Sequence, residues 1–159
     1  VYAKLWGLGW RIVQRFPNSL FFWHLKMKKI SIFFTNQLGE GTLECKGFGT
    51  FKCLGMAGLN YPQELMIDPN QPGVKTHQYF SNTYTCPQNN NPRNQCIMNY
   101  AVLIWGQQGV YIHEWPTEPT FSGDNNQGTH GCIHLRQGEA ALVYNWIDTK
   151  TYVTITRPW

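Results

Sequence analysis

At 159 residues the chain has the length of one domain with room for a real core. A composition 42% hydrophobic, 15% aromatic and only 14% charged excludes a disordered chain, and the many Gly, Asn, Thr and Tyr residues lean toward a β-rich fold. The net charge of +4 is no nucleic-acid signature, because past position 30 the basic residues are scattered.

The first 29 residues form a basic, aromatic extension. Lys4, Arg11, Arg15, Lys26, Lys28 and Lys29 are accompanied by no acid and alternate with Trp6, Trp10, Phe16, Phe21, Phe22 and Trp23. Such a segment can lie on an anionic envelope surface. The plainer alternative is a packed extension with a solvated basic edge. No apolar run approaches the ~20 residues of a membrane span. The stretch "MKKISIFF" begins like a signal peptide, but its apolar part ends at Phe34, too early for one. Residues 30–159 then read as the folded domain.

Within it, "KISIFFT" at 29–35 reads as a strand, as do 42–46 and 50–54. The last two flank a Gly-containing turn, with Cys45 and Cys53 at their ends. Residues 60–98 hold five of the nine prolines and many Asn and Gln, and predict a long irregular insertion. It includes "CPQNNNPRNQC", closed by Cys86 and Cys96. With five cysteines, two close pairs suit local disulfides, Cys45–Cys53 and Cys86–Cys96, and leave Cys132 over. The alternative is five reduced thiols in a cytosol. The runs 99–105 and 109–113 read as a hairpin around "GQQ". Residues 138–148, "GEAALVYNWID", are the one clear helix, with Leu142, Val143, Trp146 and Ile147 expected on one face. "TYVTITRP" alternates as a closing strand.

The chemistry concentrates in "GTHGCIHL", residues 128–135. Cys132 can be a nucleophile if a base takes its proton and donors stabilise the oxyanion it creates. Gly131 lets a substrate approach closely, and the N–H groups around Gly131 and Cys132 are candidate oxyanion donors. His113 ends a predicted strand, where a sheet can hold it rigidly. Two other readings stand beside this one. His130, Cys132 and His134 alternate and would share a strand face as half a metal site, although neither the usual zinc spacing nor a second cluster accompanies them. The thiol can also be a purely structural turn residue.

The stretch His113–Leu135, "HEWPTEPTFSGDNNQGTHGCIHL", resembles the signature of the L,D-transpeptidase (YkuD-like) catalytic domain: a His, 14–17 residues, then Ser or Thr followed by His-Gly-Cys. Here 15 residues separate His113 from Thr129, His130, Gly131 and Cys132. The helix and closing strand that follow also look like the family. The resemblance implies a mainly β, sandwich-like domain with the cysteine on a strand beneath a substrate channel. It implies acyl transfer on peptidoglycan stem peptides, with no cofactor and no metal. Cys132 would be the nucleophile and His113 the base. His130 would assist near the oxyanion, and the Glu114 carbonyl would hold the His113 ring. Thr129 matches the family's Ser/Thr. His134 stands where the family commonly has Arg or Asn, at a place that helps bind the donor peptide, and Arg136 is a candidate substitute cation. Glu114 replaces a small residue. The implied location is periplasmic or secreted. Compact toxins delivered between bacteria resemble the family as well. From a different class, a disulfide-stabilised wall-binding module without catalysis is the alternative.

Overall fold

A computed structural model describes residues 27–56, 58–85, 95–115 and 131–159. Among the described residues nine strands and one helix follow one another: β1 Lys28–Phe34, β2 Glu40–Cys45, β3 Gly49–Leu54, β4 Glu64–Ile67, β5 Lys75–Thr85, β6 Gln95–Trp105, β7 Val110–Glu114, β8 Ile133–Leu135, α1 Glu139–Trp146 and β9 Thr151–Thr156. The domain is mainly β with one helix, as the composition and resemblance led one to expect.

Strand alternation explains most of it. Ile30, Ile32 and Phe34 of β1 point inward, as do Leu43 and Cys45 of β2 and Val153 and Ile155 of β9. All strands join one sheet in the order β4-β9-β1-β2-β3-β8-β7-β6-β5. Neighbours are antiparallel except β1 with β9 and β7 with β8. The sheet curls: β4 lies against β6, although the two stand near its opposite ends. Its halves thereby face one another across a shared core. They join thinly, since β3 meets β8 through the single pair Leu54–His134. The helix packs on β6, β7 and β8, on the far side of that seam.

Four expectations need correction. Residues 60–98 are not one irregular insertion, because they contain β4, β5 and the start of β6. Pro62 falls just before β4, and Pro69 and Pro72 between β4 and β5, where a missing N–H breaks no ladder. The polar, Thr- and Tyr-rich β5 is an edge strand, so one side of it suits water. Val143 and Ile147 are buried as expected and Trp146 partly so, but Ala140 and Tyr144 complete the buried face and Leu142 is exposed. Strand β1 begins at Lys28, within the segment read as an extension, and Lys28 aligns with Thr151. The rest of that segment, residues 1–26, lies outside the described residues.

The fourth correction concerns Cys45 and Cys53, which are free thiols. Cys45 stands beside Gly49 and Cys53 beside Gly41. The two cysteines are thus four ladder steps apart, about 13 Å, whereas a disulfide needs Cα atoms within about 7 Å. A hairpin pair must be equidistant from its turn, and these are not. Cys96 is disulfide-bonded. Cys86, its expected partner, lies outside the described residues.

Candidate active site

The site forms at the seam between the sheet halves. The parallel register of β7 and β8 sets Ile112 beside Ile133, His113 beside His134 and Glu114 beside Leu135. One step earlier, Tyr111 meets Cys132. The Tyr111 N–H donates to Cys132 Sγ at 3.5 Å, and the thiol faces the Gly109 carbonyl at 3.9 Å. Burial pushes the Cys132 thiol above its ordinary range, and the Tyr111 N–H pulls it partly back.

The backbone before the thiol is held from the core. Gly131 has φ 119°, a conformation that side chains disfavour, and a Cβ there would come within 2.9 Å of Leu59 Cδ2. Its carbonyl accepts from the Tyr61 hydroxyl at 2.8 Å, and that hydroxyl accepts from Met56 N–H at 2.8 Å. The Tyr61 ring packs on Phe34, with centroids 5.5 Å apart.

His113 is buried at the end of β7, and its Nδ1 lies 2.7 Å from the Glu114 carbonyl oxygen. A carbonyl only accepts, so Nδ1 carries the proton and Nε2 keeps its lone pair. Burial lowers the His113 pKa to about 4, the Glu114 hydrogen bond acting in the opposite sense. The ring is therefore neutral at pH 7. Among the described residues no hydrogen bond joins it to Cys132. The register puts the two one strand repeat apart, about 7 Å along the ladder.

His134 is buried as well. Its ring centroid lies 4.5 Å from that of His113, edge to face, and 3.9 Å from that of Trp115. It packs against His113 rather than reaching toward solvent, where donor binding would need it. Arg136 lies one residue past the end of β8 and is exposed, so strand alternation does not align it with His134. The Glu114 side chain turns to the helix: its Oε2 accepts from Gly138 N–H at 2.9 Å. Glu114 also lines a pocket of about 600 Å³ with Asn99, Tyr100 and Gly138. Thr129 and His130 lie outside the described residues.

Sequence reasoning missed three tyrosines. Tyr61 is 70 residues from Gly131, and no local pattern joins them. Tyr111 was within reach, because alternation puts it on the face of His113. Its ring stacks on Tyr79 with centroids 5.1 Å apart. Burial, together with Tyr79, pushes its hydroxyl up to about 12.

The L,D-transpeptidase catalytic domain, YkuD, matches residues 54–155. The chain belongs to this family. No curated protein matches it. The fold is also found in solved structures at low identity. An L,D-transpeptidase from Stackebrandtia nassauensis is 20% identical with a TM-score of 0.54, over 83% of this chain and 57% of that one. One from Mycobacterium smegmatis is 16% identical with a TM-score of 0.52, over 81% and 59%. The catalytic domain of the E. faecium enzyme, solved acylated by ertapenem, is 19% identical with a TM-score of 0.52, over 82% and 97%. This L,D-transpeptidase-family chain spans about six-tenths of the length of the first two, and nearly all of the isolated catalytic domain.

Proposed function

We propose that the chain is a cysteine acyltransferase acting on peptidoglycan tetrapeptide stems. The observation that carries this is His113: a neutral imidazole whose Nδ1–H is held by the Glu114 carbonyl, leaving Nε2 to accept, on the strand paired with the one that follows Cys132. A neutral base and a protonated thiol form a competent resting pair. As a donor binds, the Cys132 proton passes to His113 Nε2, across a gap that resting enzymes often leave open. Sγ then attacks the carbonyl of the L-centre of the diamino acid. The tetrahedral intermediate collapses, the C–N bond breaks, and the terminal D-amino acid leaves with the proton from the imidazolium. The resulting thioester passes to an amine, to a free D-amino acid or to water. These outcomes are cross-linking, exchange and carboxypeptidase activity. By the motif, His130 is proposed to assist near the oxyanion and Thr129 to help bind substrate, and the Cys132 N–H is the proposed main-chain donor. Arg136 is the proposed cation for the donor stem, and His134 buttresses His113. A delivered antibacterial effector is a variant of the same chemistry. The disulfide at Cys96 supports an oxidising, periplasmic or secreted setting.

The second reading, a wall-binding module without catalysis, is favoured by the raised Cys132 pKa and its missing hydrogen bond to His113. One experiment separates the two. The protein is incubated with muropeptides and, separately, with ertapenem, and both are read by mass spectrometry. The acyltransferase gives tripeptides, exchanged tetrapeptides or dimers, and an ertapenem adduct on Cys132 that Cys132→Ser lacks. Unchanged muropeptides and no adduct, with pull-down on intact sacculi, would leave the binding module.

A further inference from the structure

We propose that the Glu114 side chain is a positioning residue for His113, acting through the N-terminus of α1. This deepens the proposed function, since it rests on His113 being the base. The helix begins without a cap of its own. Its N-cap is Gly138, at φ 82°, with no side chain to accept from the first amides. The acceptor comes instead from β7: Glu114 Oε2 takes the Gly138 N–H at 2.9 Å. A carboxylate suits that place, because the helix end carries partial positive charge.

The same residue holds the imidazole with its other end. Its carbonyl oxygen receives His113 Nδ1–H, and the N–H of the same peptide plane, that of Trp115, donates to Leu135 O at 3.0 Å. The plane that orients His113 is thus fixed by β8 on one side. Three residues separate Leu135 from Glu139, and the Glu139 N–H closes that turn on Arg136 O at 3.0 Å. The Leu135 carbonyl and the Gly138 amide, at the two ends of this short connection, are both bonded to Glu114–Trp115. Truncating Glu114 frees one of these two ties, and the peptide plane then hangs on the other alone.

Strand alternation keeps the carboxylate off the imidazole, since neighbouring side chains take opposite faces of β7. Its effect on His113 therefore has to travel through the backbone. Glu114 is only 7% exposed. A carboxylate buried so far is costly unless bonded. The helix amide and the His113 acceptor together give it a use.

The test compares Glu114→Ala, Glu114→Asp and Glu114→Gln with the parent protein. The ¹⁵N shifts of His113 report its tautomer and pKa without any turnover, and ertapenem acylation reports rate and affinity separately. Glutamine keeps an acceptor at the same reach and should keep the Nδ1–H tautomer and the acylation rate. Alanine has no acceptor, and aspartate is one methylene too short. Both should show mixed tautomers and acylate roughly tenfold more slowly at saturation, with half-saturation unchanged. If alanine does not fold, the aspartate and glutamine pair decides. A wild-type tautomer and rate in folded aspartate and alanine variants, with only a lowered melting temperature, would overturn the proposal. If His113 is not the base, His113→Asn will still acylate, and the tautomer comparison will still report on the Glu114 link.

Discussion

His113, the proposed base, also carries a pH-dependent share of the stability. Its pKa is about 4 in the folded chain and about 6.5 when unfolded. As pH falls, the unfolded chain takes the proton first. Stability is full above pH 6.5, declines between 6.5 and 4, and levels below 4 as far as this ring is concerned. The loss is roughly 3 kcal/mol. Urea unfolding across this window should therefore be steeper in the parent than in His113→Gln, which has no proton to gain. Equal pH slopes would mean that the ring is not held neutral. Neutrality bears on the proposed function too: a neutral His113 is free to act as the proposed base at pH 7, and burial keeps the Cys132 thiol protonated until then.

At the scale of elements, the β2–β3 hairpin and α1 each allow a test. Burial pushes both hairpin thiols, Cys45 and Cys53, up to about 12. Iodoacetamide at pH 8 should label Cys132 in the folded protein and leave these two untouched. Unfolding without reductant should expose both to labelling. A non-reducing digest containing a Cys45–Cys53 cross-linked peptide would refute the register. The helix is closed at its far end by two lysines from distant strands. Lys28 Nζ donates to Trp146 O at 2.5 Å and Lys75 Nζ to Ile147 O at 2.7 Å. Lys75 also sits over the Tyr144 ring, 4.2 Å from its centroid. Lys75→Met keeps most of the stem but loses the donor and the cation–π contact. It should cost about 1 kcal/mol in denaturant unfolding. An unchanged midpoint would show that water replaces the lysine at no cost.

Across the whole molecule, the curled sheet ties the core to the site. Phe34 is fully buried in β1, packs on Tyr61, and through the Tyr61 hydroxyl bears on the Gly131 carbonyl. Phe34→Ala should cost about 3–5 kcal/mol, as large core truncations do. It should also change the alkylation rate of Cys132 in protein that is still folded. Ile155→Ala, a core truncation in β9, should lower stability while leaving that rate alone. If both variants alter Cys132 alike, the Phe34–Tyr61–Gly131 line carries nothing specific.

Strands whose apolar residues alternate, such as "KISIFF" and "TYVTIT", could be read directly from the sequence, because a period of two is a local property of the chain. The motif from His113 to Cys132 was legible for a related reason: fixed residue types at a fixed spacing need no three-dimensional knowledge to be recognised. The region 60–98 misled, because prolines that bound strands look the same in sequence as prolines that prevent them. Cys45 and Cys53 misled because proximity along the chain is not proximity across a ladder, where register counts from the turn. Only the tertiary structure could bring Tyr61 to Gly131, set Tyr111 against the thiol, or give α1 a cap from β7. Those contacts join residues far apart in the chain, and they exist because the sheet curls and lays β7 beside β8 at its seam. Local pattern determined which segments are strands and which family motif the chain carries. Long-range packing decided how their protons are held.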